Sequence, residues 1–210
     1  MLKKKFLLWL IESKLYYWFL TRVSPQLRFT TQHAKIGGEA YLAAYRKLKP
    51  GDWIFTIDHS SFSGKVITAL TGGEVSHCGI FRGYFEPWEC SEMTSKNFTK
   101  SAFYDMIKSS DRVIIAHNPK WTDDYRKSMV AESSSYAHAK YDYWYDMANK
   151  DEKGVPLLAC SELLYMSDFE RTVRVNLEDV AGIGRPYISP QGLLNSPDLF
   201  IIYDSGAVTP

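Results

Sequence analysis

Leu158-Ala159-Cys160-Ser161-Glu162-Leu163-Leu164-Tyr165 places a thiol at the start of an apolar helix. Leu163 and Leu164 follow Cys160 at the i+3 and i+4 spacings of one helical face, so the helix begins close to the cysteine. Unpaired peptide N–H groups and the helix dipole at such a terminus stabilise a thiolate, lowering its pKa from a free value of about 8.5. A nucleophile gains from that position. Far upstream, Val75-Ser76-His77-Cys78-Gly79-Ile80 sets a histidine at the head of a short apolar run after the Gly72-Gly73 turn. A strand there carries a base toward the thiol. Residue types alone leave a plainer reading open, because most buried cysteines are small hydrophobes and most single histidines are surface or hydrogen-bonded core residues.

The order of the surrounding segments narrows the choice. Gly51-Asp52-Trp53-Ile54-Phe55-Thr56, Leu70-Thr71-Gly72-Gly73, Ser76-His77-Cys78-Gly79-Ile80, a downstream glutamate, Tyr141-Asp142-Tyr143 and Cys160-Ser161-Glu162-Leu163 follow one another. As an ordered set they resemble the permuted papain-like cysteine hydrolases, the YiiX-type branch of the NlpC peptidoglycan-peptidase superfamily. The resemblance runs from about residue 48 to 203 and includes Ile188-Ser189-Pro190 and Ser196-Pro197-Asp198-Leu199. It implies an α+β fold, an antiparallel sheet packed against helices, and acyl transfer through a Cys160 thioester with His77 as base. It also implies an orienting glutamate. Glu92 is favoured, because Glu92-Met93 with Phe98-Thr99 after a short loop is similar to that family's segment; a register shift gives the role to Glu89 instead.

At 210 residues and 45% hydrophobic content the chain supports one core-forming domain with an appendage. The expected division is 1–47, an apolar helix and connector, and 48–210, the hydrolase domain. A formal charge of +1 and a pI near 7.7 give no pull toward nucleic acid. Cys78, Cys90 and Cys160 cannot all pair within one chain, and their spacing matches no zinc or disulfide framework. No metal or other cofactor is expected. A reducing compartment follows more readily than an oxidising one, so a cytoplasmic or membrane-associated location is expected over a secreted one.

Lys3-Lys4-Lys5 precede the apolar runs 6–11 and 15–20, which Glu12 and Lys14 separate. The segment lacks both the cleavage site of a secretory signal and the uninterrupted length of a membrane span. Read as a helix over residues 5–22, it is apolar around most of its circumference and wants burial against lipid or protein. The rest of the chain reads as a helix over 39–48, strands over 53–57, 77–82 and 88–93, and a helical turn over 65–70. Downstream, a helix at 102–109, a strand at 112–116, a helix at 123–136 and strands at 171–176 and 199–203 complete the pattern. Glu89 and Glu92 stand three apart, so on one regular strand they point to opposite faces. His117, just past a strand end, and His59, in the loop after the first strand, read as solvated or capping residues, and His33 and His138 have no acid or thiol at a telling spacing. The expected substrate is a peptide or other amide; a lipid acyl group and a non-catalytic structural role in a larger assembly are the alternatives.

Overall fold

In the computed structural model residues 35–84, 88–143, 146–147, 149–179 and 186–206 are described. The apolar segment expected at residues 5–22, and Trp144 and Tyr145 of the aromatic run, lie outside them. Six strands form an antiparallel sheet in the order β10-β5-β1-β2-β3-β4. They are β1 (Trp53–Ile57), β2 (His77–Phe81), β3 (Cys90–Thr94), β4 (Asn97–Ser101), β5 (Arg112–His117) and β10 (Phe200–Asp204). The helices are α1 (Gly38–Tyr45), α2 (Phe62–Thr71), α3 (Phe103–Ile107), α4 (Asp123–Ser135), α5 (Cys160–Ser167) and α6 (Pro190–Leu194). Two short ladders, β6 (Lys140–Tyr141) with β7 (Leu157–Leu158) and β8 (Glu178–Asp179) with β9 (Pro186–Tyr187), and a 3-10 turn at Tyr136–His138 complete the described elements.

Alternation along the strands builds two apolar layers. Trp53, Phe55, Cys78, Ile80, Met93, Ile114 and Ala116 face the layer holding Met129 of α4, Leu163 and Leu164 of α5 and Leu193 of α6. Ile54, Phe81, Cys90, Val113 and Ile115 face the opposite layer, with Ala44 of α1 and Phe103, Met106 and Ile107 of α3. Every residue of β1 is buried because the strand is central and covered on both faces. The α1 helix, expected to belong to the connector within 1–47, is part of this second layer. Tyr41 and Tyr45 stack on Phe103, and the Tyr203 hydroxyl donates to the Ala40 carbonyl at 3.0 Å.

Three expectations are corrected. Residues 171–176 form no strand. Asp168 accepts the Val173 N–H at 2.8 Å and Asp198 accepts the Arg174 N–H at 3.0 Å, and with Arg171 at a φ of 54° the chain cannot run extended there. The helical turn at 65–70 is ten residues long, starting at Phe62 because the Ser61 side chain accepts from the Gly64 N–H and caps it. The strand β4 carries no strand pattern in its sequence, since NFTKS is mostly polar; it is an edge strand whose ladder with β3 supplies the hydrogen bonds.

Candidate active site

The site is assembled where α5 meets the start of β2. Ala159 is extended and Cys160 is the first helical residue; the Glu162 carboxyl reaches back to accept the Ala159 N–H at 2.6 Å. Alanine has no side-chain acceptor, so this is half of a capping box. The Ser161 hydroxyl donates to the Ile188 carbonyl at 2.5 Å, tying the helix start to the segment before α6. In turn the Gln191 Oε1 of α6 accepts from the Glu74 and Val75 N–H groups at 3.1 and 3.3 Å, just ahead of His77. Gly73 makes room for that latch, since a Cβ there would stand 2.4 Å from the Gln191 Cβ. Ser76 N–H then donates to the Thr56 carbonyl at 3.0 Å, and β2 begins in register with β1, His77 opposite Thr56.

His77 Nε2 lies 2.6 Å from Glu92 Oε2, and the second oxygen of Glu92 accepts from the Ser101 hydroxyl. Glu92 stands opposite Gly79 in the ladder, one diagonal step from His77 on the same face. The imidazole also hydrogen-bonds the Cys160 sulfur. One ring nitrogen cannot serve both partners, so Nδ1 faces the thiol. Cys160, His77 and Glu92, separated by up to 83 positions, therefore meet in one hydrogen-bonded line. Cys160 and Glu92 are buried, whereas His77 keeps 25% of its side chain exposed and marks the side from which solvent reaches the group.

Glu89 does not share this site. It precedes β3, so strand alternation does not govern it, and its carboxylate accepts from the Tyr45 hydroxyl and, at 2.9 Å, from the Phe103 N–H. It braces α3 against α1. Two partners went unread in the sequence. Ser101 sits on the unread strand β4. Cys78 follows His77 directly and, with Ile80, faces the layer that holds α5, where its thiol and its backbone N–H both hydrogen-bond the Cys160 sulfur; His77, on the other face by alternation, reaches the same sulfur from the strand end. The ladder to β3 starts only at Gly79, leaving the first two residues of β2 unpaired on that side.

These contacts set the charges. The Cys78 hydrogen bond holds the Cys160 thiol well below its usual pKa; burial opposes this, and the bond and positive charge of His77 reinforce it. Burial would lower His77, but its bonds to Cys160 and Glu92 prevail and raise it to about 10. Burial would raise Glu92, and the contact with His77 keeps it below the usual carboxylate value. Both shifts run toward a thiolate facing an imidazolium. The Cys78 thiol is pushed up by burial and by the neighbouring sulfur, so it stays protonated and donates.

Glu162 behaves differently. Burial lifts its pKa to about 8, against the Ala159 N–H that lowers it, and Oε1 is buried without a hydrogen-bond partner. The folded protein therefore holds a proton that the unfolded chain releases near 4.5. Stability from this group is complete below 4.5 and falls as pH rises through about 8, by about 1.4 kcal/mol per pH unit. His77 acts in the same direction above 6.5, but Cys160 acts oppositely below 9.0, so those two offset one another near neutrality. Urea unfolding between pH 6 and 8 is expected to show this loss in the wild type and a flatter profile in Glu162→Gln. Equal slopes in the two proteins would refute it.

No protein-family model and no curated protein sequence matches the chain. Among solved structures it is similar to the crystal structure of the metalloprotein YiiX from Escherichia coli O157:H7, with a TM-score of 0.61 and 15% identity over 75% of this chain and 97% of that one. Among the described residues no group of three or more His, Cys, Asp or Glu side chains is arranged to hold a metal ion. In the line described above, both His77 nitrogens are already engaged, by Glu92 and by Cys160. The likeness to YiiX shows the fold: this chain has a YiiX-like α+β architecture around an antiparallel sheet.

Proposed function

We propose that the protein is a cysteine hydrolase of the permuted papain-like type, cleaving an amide bond through a thioester on Cys160. The observation that supports this reading is the hydrogen-bonded line from the Cys160 sulfur through His77 to Glu92 at a helix N-terminus. In the reaction the Cys160 thiolate attacks the substrate carbonyl carbon, and the oxyanion is held by the Cys160 backbone N–H, which has no carbonyl four residues back to bond. The imidazolium of His77 delivers its proton to the leaving amine, and the C–N bond breaks. His77, now neutral, takes a proton from water, whose hydroxide opens the thioester and restores the thiolate. Glu92 fixes the tautomer and steadies the positive ring, and Ser101 keeps that carboxylate in place. A cell-wall stem peptide or an isopeptide fits this chemistry.

A lipid acyl group is the second reading, and one observation favours it. Lys35 reaches Asp58 and Asp111 at 3.3 and 2.9 Å, just beyond the end of β1 and before the start of β5. Thr56, at that end of β1, pairs with His77. The described residues therefore begin, at Lys35, at the catalytic end of the sheet. Residues 23–34 separate Lys35 from the apolar segment 5–22, which as an interfacial segment would hold the fold near a membrane surface.

One experiment separates these readings. The full chain is mixed with an activated peptidyl ester in solution or a long-chain fatty acyl ester in vesicles, and intact mass reports acylation. Cys160 is expected to be acylated in the wild type and unmodified in Cys160→Ala, with the peptidyl donor faster. A faster fatty acyl donor moves the reading to lipid. No acyl adduct from either, or equal turnover in Cys160→Ala, would overturn the enzyme reading.

A further inference from the structure

In the proposed hydrolysis one buried reactive group beside the nucleophile serves only as a hydrogen-bond donor and forms no bond of its own. Cys78 belongs to the same apolar cluster as Cys160, and neither has exposed surface. The two sulfurs are hydrogen-bonded to each other, and the Cys78 N–H adds a second bond to the Cys160 sulfur. Strand β2 and the first turn of α5 are thereby held against one another at these two residues. No disulfide is present among the described residues, all three cysteines being free. Cys90 sits in the cluster on the other face of the sheet, away from both.

We propose that Cys78 and Cys160 form a reversible redox pair, in which a hydroperoxide oxidises Cys160 and Cys78 closes a disulfide that removes the nucleophile from service. In the first step the Cys160 thiolate attacks an oxygen of the hydroperoxide; the O–O bond breaks, the sulfur becomes a sulfenic acid, and hydroxide (or the alkoxide) leaves. In the second the Cys78 sulfur attacks that sulfenic sulfur, the S–O bond breaks, an S–S bond forms, and the Cys78 proton leaves with the oxygen as water. The peroxide is reduced and the two thiols are oxidised, so the electrons balance. A thiol already in contact needs only local movement to reach the bonding distance of about 2 Å. The lowered pKa of Cys160 favours the reactive thiolate, and Cys78, giving up its proton to the departing oxygen as it attacks, closes the disulfide ahead of the irreversible sulfinic and sulfonic stages. A dithiol reductant reopens the pair.

The inference rests on the sulfur contact and not on hydrolysis, so its test reads the thiols directly. Reduced full-length protein is treated at neutral pH with hydrogen peroxide, the smallest reagent of this class, then alkylated and mapped without reduction. The wild type is expected to lose the mass of two hydrogens, yield a Cys78–Cys160 cross-linked peptide, and recover both thiols with dithiothreitol. Cys78→Ser is expected to accumulate sulfinate on Cys160 roughly tenfold more than wild type at the same dose, not reversed by dithiothreitol. Cys90→Ser is expected to match wild type. Cys78→Ala repeats the measurement in case the serine hydroxyl disturbs the core, and the wild-type cross-link decides the matter without either variant. Sulfinate on wild-type Cys160 at the rate seen in Cys78→Ser, a cross-link through Cys90, or peroxide-resistant thiols would each overturn the proposal. A protein that forms the cross-link yet acquires no acyl group in the donor experiment would keep the redox pair and lose the hydrolase.

Discussion

His77→Ala is expected to slow iodoacetamide labelling of Cys160 at pH 6 by on the order of 100-fold, as the thiol returns toward a free pKa of about 8.5. Three groups hold the thiolate: the Cys78 hydrogen bond first, then the His77 hydrogen bond and charge, all working against burial. Removing the imidazole deletes the one full positive charge among them and leaves the Cys78 donors in place. The pH profile tells this apart from lost access. With wild-type protein the labelling rate should stay level from neutral pH down until the depressed thiol pKa is passed, and it should change again near 10, where His77 loses its proton. In His77→Ala the rate should instead climb steadily with pH and approach the wild-type rate only in alkali. A variant profile parallel to wild type, or equal labelling of Cys78, Cys90 and Cys160, would refute the ion pair. Glu92→Gln is the informative companion, because it keeps the hydrogen bond to the ring and removes only the charge that supports it.

Asp52→Ala is expected to destabilise the fold by about 3–5 kcal/mol while leaving that labelling profile intact. Asp52 is fully buried and accepts from the Arg126 guanidinium and, at 2.8 Å, from the Lys49 N–H. His117 Nδ1 stands 3.3 Å away. Arg126 is itself buried, with its guanidinium 5.6 Å from the centroid of Trp121. Removing the carboxylate strands a buried cation, and the cost is mostly that of the unpaired charge. The double variant Asp52→Ala/Arg126→Met should accordingly recover part of the loss in urea unfolding, at an unchanged m-value. Asp52 precedes the end of β1 where Trp53 pairs with Ile80, whereas His77 pairs with Thr56 at the other end. The two effects are therefore separable. A loss below about 1 kcal/mol would mean that the cluster is solvated in solution.

Much of the architecture is legible because the local signals agree. Trp53, Phe55 and Ile57 alternate through a turn-bounded run, and they share one face as the period of a strand requires. The β-branched run from Arg112 to Ala116 and the helix over 123–135, capped by Thr122 accepting from the Tyr125 N–H, follow the same logic. Elements failed where the backbone is satisfied by distant groups. Residues 171–176 carry an alternating pattern, yet the carboxylates of Asp168 and Asp198 take the N–H groups of Val173 and Arg174. Conversely β4 has little apolar pattern and exists because β3 offers it a complete ladder.

Residue order and spacing by themselves determined that Cys160 heads a helix, that His77 heads a strand, and that an acid lies on the next strand. Those are properties of short windows, set by period and by turn residues. That Glu92 rather than Glu89 meets His77, that Ser101 joins it, and that a second thiol lies against Cys160 were decided only by the packed chain. Strand alternation places side chains within a regular ladder, but here Glu89 lies before its strand and His77 is the first residue of its own, ahead of the first pair with β3. At such ends the direction of a side chain is set by what the rest of the fold brings beside it.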